Sequence, residues 1–385
     1  MPLAAGALLP LSIEKPAAGG RMIARLDGQV VLVAGAIPGE RVVARIERIA
    51  KGVAYAQTTA VEERSPDRRD GGADPLCGGC LYSHIAYARQ LQVKADVIRD
   101  AFGRIARIEL PGAVPVAASR EDGYRMRARL HVRAGRIGFF REGTHELCDP
   151  RASHQLLPGT IDALDHAARK AEHDGDVDVS ENIPATERSI AFEGRILDGG
   201  EYVHDALSID GHEVLLRRHV LAFFQGNRYL LGSLVAHVVA QVETGARVVD
   251  LYAGTGLFSV PLAVAKRARV TAVEGDRAAS GDLEWNARDA GVDAVRASVE
   301  HFTERLREKP DVIVADPPRT GLSREALAGI LGTRAPKIVY VSCDVATLAR
   351  DARRIVDAGY TVARADAFDM FPNTPHVETV IVFTK

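Results

Sequence analysis

The sequence predicts an α/β chain built around a doubly wound parallel sheet, preceded by a small β-barrel and a mixed α+β central region. Three observations carry that expectation. From about residue 221 the chain alternates strand and helix, with apolar runs "RVVDLY", "RVTAVE", "DVIVADPP" and "KIVYVSCD" separated by helical patterns. Such alternation winds into a parallel sheet. The first of those strands opens into Gly254-Thr255-Gly256, a turn that lets the backbone approach a ligand at the sheet's switch point. Residues 1–60 instead carry short alternating runs broken by Gly and Pro at regular intervals, the pattern of a small barrel.

Three regions follow from these rhythms: 1–60, 61–220 and 221–385. The barrel region holds seven Lys/Arg against four Asp/Glu. In the central region the spacing predicts a helix near 84–105, strands around 127–140 and further alternating segments near 187–218, while "AEHDGDVDVSEN" reads as a solvated loop. A chain of 385 residues, 46% hydrophobic and 26% charged, is long enough for two or three cored domains. No apolar run reaches the roughly 18 residues of a membrane span, and the N-terminus lacks the basic start and apolar centre of a signal peptide. The expectation is a cytoplasmic protein, monomeric and without a membrane partner. Four cysteines do not make a disulfide framework, so those that matter are expected to be ligands or nucleophiles. A net charge of −2 argues against indiscriminate binding of polyanions. Residues 120–141 nevertheless gather seven arginines against Glu121 and Asp122, a stretch suited to phosphates.

The chemistry concentrates at the strand ends of the third region. Asp250 precedes the glycine turn, and the next strand ends at Glu274, 20 residues after Gly254, where a carboxylate accepts both hydroxyls of a ribose. A nicotinamide site would show a third glycine, whereas Asp250 suits a ligand with a cationic amino-acid end. S-adenosylmethionine fits better than NAD. Asp316, braced by Pro317 and Pro318, sits at the carboxyl edge where open α/β sheets bind ligands; alone it would equally be a capping acid. Cys343 leaves the next strand at that same edge. A helix beginning at about Asp344 or Val345 directs its positive end at the sulfur, which is expected to lower the thiol pKa. A lone strand cysteine is more often inert core; its position beside the glycine turn favours a nucleophile. Glu378 interrupts an apolar run near the C-terminus and reads as an edge residue or a base held in the site.

Together "FFQGNRYL", "DLYAGTGLFS", "AVEGD", "DPPRTGL", "VSCDVATLARD" and "HVETV" resemble, in order and spacing, the RNA uracil-C5 methyltransferase family. The stretch "IEKPAAGGRMIARLDGQVVLVAGAIPGERV" is similar to the TRAM module, an OB-like RNA-binding barrel carried by the 23S ribosomal RNA branch. "SPDR" and "YRMRARLHV" resemble that family's central region. The resemblance implies a class I, Rossmann-like methyltransferase fold. It also implies 5-methyluridine formation in RNA, with Cys343 adding to uracil C6 and Glu378 removing the C5 proton. Gln225, Tyr252, Gly254, Glu274 and Asp316 would serve S-adenosylmethionine, with Asp316 between cofactor and base. Ribosomal RNA is the favoured partner and transfer RNA the alternative.

The sequence departs from that family in two places. Ribosomal RNA members carry an iron–sulfur cluster on Cys-x5-Cys-x2-Cys plus a distant cysteine. Here Cys77 and Cys80 match the last pair, the first place falls at Gly71 and the fourth near Ser153, with Cys148 several residues early. Cys77, Cys80 and Cys148 are thus the candidate metal ligands of an incomplete set, with Asp70, Asp74 or water to complete it. A glycine turn with idle thiols is favoured over an intact cluster. Asp344 stands where relatives carry Asn-Pro, and its charge is expected to raise the thiol pKa unless the helix end or cofactor offsets it. Two other functions fit parts of the pattern. An amino-group methyltransferase would use Asp316-Pro317-Pro318 without needing Cys343 or Glu378, and a non-catalytic RNA-binding factor would keep the fold alone.

Overall fold

The computed structural model describes residues 4–385; the first three residues of the expected barrel region lie outside them. Strands Leu8–Pro16, Met22–Leu26, Gln29–Ala34, Arg41–Ala50 and Val53–Glu63 close into a barrel in which the first strand pairs with the fourth. Alternation puts Leu11, Ile13, Val31, Val33, Val42, Ala44 and Ala56 inside, many of them small, as a narrow barrel requires.

Helix Tyr87–Ala101 follows, ending in a π-turn at Phe102–Ala106. The central region is a six-stranded antiparallel sheet ordered Arg195–Asp198, Arg188–Phe192, Gly175–Glu181, Arg127–Arg133, Arg136–Phe140 and Leu147–Cys148. Helix Pro158–Lys170 covers one face. The segment expected to be a solvated loop is therefore a strand in part. Val177 and Val179 point into the core, and the intervening acids are satisfied across the ladder, Asp178 by Arg129 at 3.0 Å and Asp176 by His131 at 2.7 Å. A polar strand looks like a loop when its partners lie far away in sequence.

The hairpin Tyr202–Ile209/His212–His219 leads into an eight-stranded sheet. Its order is Asp293–Arg296, Arg269–Glu274, Arg247–Leu251, Val312–Ala315, Lys337–Ser342, Glu378–Thr384, Thr361–Phe368, Val116–Ala117. The first five strands run parallel and Glu378–Thr384 runs antiparallel between its neighbours. Successive residues feed opposite faces, Val248, Val312 and Val339 into one core and Val249, Ile313 and Ile338 into the other. Strand order reverses between Arg247–Leu251 and Val312–Ala315, which opens a crevice at their carboxyl ends. Among the described residues no helix is long and apolar enough to cross a membrane.

Candidate active site

The sheet's register brings the predicted residues together. Because Glu378–Thr384 is antiparallel, its first residues lie beside the last residues of Lys337–Ser342. Ser342 pairs with Thr379, so Cys343 emerges against Glu378. Glu378 is 2% exposed and its strand is interior, which rules out the edge-residue reading. Asp316 leaves the neighbouring parallel strand at the same level, and Gln225 is buried nearby, holding down the rise in pKa of both Asp316 and Glu378.

On the other side of the crevice the backbone is held in uncommon conformations. Tyr252 has φ 59° and Gly254 φ 55°; a tyrosine there is an outlier of the kind that functional turns retain. The Gly254 N–H donates to Glu274 Oε2 at 2.8 Å and the Asp276 N–H to Oε1 at 2.7 Å, which aims the carboxylate and leaves each oxygen a free lone pair. Asp250 is fully buried and accepts from the Ser259 hydroxyl, but its Oδ1 has no partner. Thr255 Oγ1 and Glu378 Oε1 are also buried without partners. Orphaned polar atoms of this kind call for a ligand.

Acids dominate the electrostatics. Burial first, then the Glu274 carboxylate, pushes Asp250 up to about 7. Asp316 is pushed up to about 7 by burial and by Asp250, and Glu378 well above the usual carboxylate range by burial and by Asp316. Crowded, desolvated acids resist a third and fourth charge, so the crevice suits a cation. A sulfonium and an ammonium meet that demand, and the Glu274 carboxylate, aimed by two backbone N–H groups, keeps lone pairs for the hydroxyls of a ribose. The residues present therefore fit S-adenosylmethionine.

The expected lowering of the Cys343 thiol is not found. Burial first and the neighbouring Glu378 push it up to about 11, with Arg319 pulling the other way and Asp316 adding to the rise. The helix does start where expected, Val345–Asp357, but its N-terminal potential does not outweigh desolvation. Asp344 caps that helix, its carboxylate accepting from Thr347 N at 2.8 Å. Arg319 was missed by sequence reasoning, although it follows Pro318 inside a motif already singled out.

The second cysteine group is a correction. Cys77 and Cys148 are joined in a disulfide, 71 residues apart in sequence, and Cys80 is a separate buried thiol. They line a cavity of about 210 Å³ with Asp74, Phe139 and Ser153. Two of the three candidate ligands are spent on each other, and among the described residues no three His, Cys, Asp or Glu are arranged to hold a metal ion. The residues do not fit an iron–sulfur cluster. Instead the bond ties the Cys77–Cys80 turn to strand Leu147–Cys148, and Gly78 O accepts from Gln155 Nε2 at 3.0 Å.

Of the seven arginines in 120–141, Arg129 and Arg141 are committed to Asp178 and Asp74. Arg125 donates to Gln155 at 2.7 Å and stands 6.0 Å from the Phe371 ring, which meets His376 edge-on at 6.1 Å. That places one arginine of the stretch near the mouth of the Cys343 site.

Comparison with known proteins extends these observations. Residues 182–385 match the family described as tRNA (Uracil-5-)-methyltransferase, and residues 4–59 match the TRAM domain. A relative from Halomonas elongata, named 23S rRNA (uracil(1939)-C(5))-methyltransferase RlmD, is 34% identical over 97% of this chain and 88% of its own. The protein of the same name from Methylococcus capsulatus is 30% identical, covering 97% of this chain and 96% of that one. The crystal structure of Pyrococcus abyssi tRNA (uracil-54, C5)-methyltransferase in complex with S-adenosyl-L-homocysteine superposes with a TM-score of 0.77. It covers 97% of this chain and 99% of that one at 24% identity, and so shares the fold.

Proposed function

This chain belongs to the tRNA (uracil-5-)-methyltransferase family, and from that premise we propose that it forms 5-methyluridine in 23S ribosomal RNA. The observation that carries the reading is the register that sets Cys343 against Glu378, beside an acid-lined crevice fit for a sulfonium cofactor. A ribosomal target is favoured by the named relatives and by the TRAM-type barrel, and a cytoplasmic location goes with it.

Uracil C5 is a weak nucleophile. The Cys343 thiolate adds to C6, forming a C–S bond and moving the C5–C6 electron pair onto C5 and O4. Asp250, Tyr252, Gly254, Glu274 and Gln225 would hold S-adenosylmethionine, which would supply an electrophilic methyl group to C5, its S–CH3 bond breaking to leave a neutral thioether. Once C5 carries the methyl, the Glu378 carboxylate removes its proton. The electron pair restores C5=C6, the C–S bond breaks and the thiolate returns. Gln225, whose amide favours the charged forms of both Asp316 and Glu378, would help the base to ionise. The target must leave its stack, which RNA loops permit at lower cost than duplex, and the barrel with the 120–141 arginines would hold the backbone.

Sequencing-based mapping of 5-methyluridine in a deletion strain tests the reading. Loss of one 23S site is expected. Loss confined to transfer RNA would replace the substrate assignment, and unchanged uridines with a lost amino-group methylation would replace the chemistry.

A further inference from the structure

Glu378 sits at the open end of two ladders. On one side it forms the last pair with strand Thr361–Phe368, opposite Phe368, and on the other the ladder to Lys337–Ser342 stops one residue short of it, at Ser342 and Thr379. Terminal pairs fray unless the chain beyond them is held. That chain is the connection 369–377, whose two ends are Phe368 and Glu378 themselves. Resting on the proposed methyltransferase reading, we infer that Gln90 and Lys94 are positioning residues for the base: they clamp this connection and so hold Glu378 against Cys343.

Both residues stand on the buried face of helix Tyr87–Ala101, one turn apart, in a stripe with Val93, Ile98 and Ala101. Gln90 is 0% exposed and Lys94 1%. Apolar side chains would fill that stripe without the cost of desolvating an amide and an ammonium. What the polar pair supplies instead is direction. The Lys94 ammonium donates to Oδ1 of the fully buried Asp369, which directly follows Phe368, and to Phe371 O at 3.2 Å. The Gln90 amide grips Asn373 twice, donating to its Oδ1 at 2.8 Å and accepting from its N–H at 2.9 Å. Asn373 has φ 63°, a left-handed conformation that persists in a residue other than glycine only where the surroundings impose it. Gln90 is itself anchored, donating to Ile85 O at 2.9 Å.

The remaining contacts leave the loop little freedom. Asn227 donates to Met370 O at 3.1 Å, and the Tyr82 N–H to Asn373 O at 2.8 Å. Thr374 Oγ1 donates to Phe371 O at 2.7 Å and accepts from the His376 N–H at 3.2 Å. That hydroxyl carries the hold from the carbonyl gripped by Lys94 to a point two residues before the base. On the outer side, a Cβ at Gly20 of the barrel would stand 2.7 Å from the Pro375 side chain. Helix, barrel and catalytic sheet thus converge on the one loop that ends at Glu378.

The test separates methyl transfer from proton removal in single turnovers, using RNA with tritium at uracil C5 and S-adenosylmethionine with a radiolabelled methyl group. In native protein tritium should leave in step with methyl incorporation. Gln90→Leu should transfer the methyl within about threefold of the native rate yet release tritium roughly 10- to 100-fold more slowly, as when a reacting group is misplaced by about 1 Å. Methylated covalent complex should then accumulate. Lys94→Met combined with Asp369→Asn, which strands no buried charge, should show the same split. Asn373→Ala removes the group that Gln90 grips, so its effect should not add to that of Gln90→Leu, and it keeps the test open if Gln90→Leu fails to fold. Hydrogen exchange of the amides in 371–380 should quicken in each variant while Lys337–Ser342 stays protected. Equal slowing of both labels would make the two side chains part of the fold alone, and unchanged exchange would show that they do not hold the loop; either result overturns the inference. If native protein releases no tritium, the methyltransferase reading fails, while exchange still reports on the clamp.

Discussion

Cys80 and Cys343 are the two free thiols of this chain, and burial pushes each up to about 11. Their neighbourhoods differ in kind. Cys80 has Asp74 as its other charged influence, which raises it further, and it lies beside a closed disulfide. Cys343 has an arginine pulling it down, a buried carboxylate against it and orphaned oxygens across the crevice. Burial alone makes a thiol inert core. A buried acid in register beside it and an acid-lined crevice fit for a cationic cofactor turn the same side chain into a candidate nucleophile.

The largest expected effect separates these two thiols directly. Cys343→Ser should lower RNA methylation by roughly 10⁴-fold or more and abolish the 5-fluorouridine adduct. Cys80→Ser, tested by the same assay, should leave turnover within about twofold because the thiol lines the cavity beside the disulfide and Asp74, not the crevice. Comparable losses in both would mean that the two cysteine sites are one functional unit.

Glu378→Gln sharpens the same contrast from the base's side. Turnover should fall about 10²- to 10⁴-fold, the range for removing a general base, while the C–S bond still forms. Covalent complex should therefore accumulate on ordinary uridine RNA, visible as a slow band in denaturing gels. A variant that releases methylated product normally would remove Glu378 from the reaction.

At the other cysteine site the expected effect is on stability alone. The Cys77–Cys148 bond closes a loop of 71 residues, which in the chain-entropy account restrains the unfolded state by about 4 kcal/mol. Cys148→Ser should lower the melting temperature of the oxidised protein by several degrees, read by calorimetry, and leave kcat unchanged well below the transition. Anaerobically purified native protein should carry no stoichiometric iron or sulfide. Iron bound at this site would show that Cys77 and Cys148 serve as ligands and not as a disulfide.

The contrast also explains what could be read from the sequence. Strand ends, glycine turn and Cys343 were legible because each is a local pattern with a known place in a parallel sheet. Glu378 was ambiguous because its meaning depends on which strands flank it, and only the antiparallel insertion between Lys337–Ser342 and Thr361–Phe368 buries it. The two-residue strand Val116–Ala117 is too short for any periodicity. Gly175–Glu181 looked like loop because its acids are paid by cross-strand Arg129 and His131. The thiol's ionisation was misjudged because the helix terminus was legible and desolvation was not. The disulfide joins residues that no spacing rule connects.

The smallest effect comes from the acid that both cofactor fit and fold stability share. Asp250 sits at about 7, raised from 3.8 mainly by burial. Between those values the folded chain keeps a proton that the unfolded chain has released, so stability must fall as pH rises through that window. Asp316, also at about 7, contributes a slope of the same sign. Asp250→Asn should therefore flatten, without abolishing, the decline of melting temperature from about pH 5 to about pH 7.5 in cofactor-free protein. In native protein S-adenosylmethionine should bind more tightly as pH rises through that window, because its ammonium and sulfonium are drawn to the ionised acids, and the substitution should blunt that rise. Identical slopes in both proteins would show that Asp250 stays ionised in the folded state, and with it would go the claim that an unsatisfied, desolvated acid prepares this crevice for a cation.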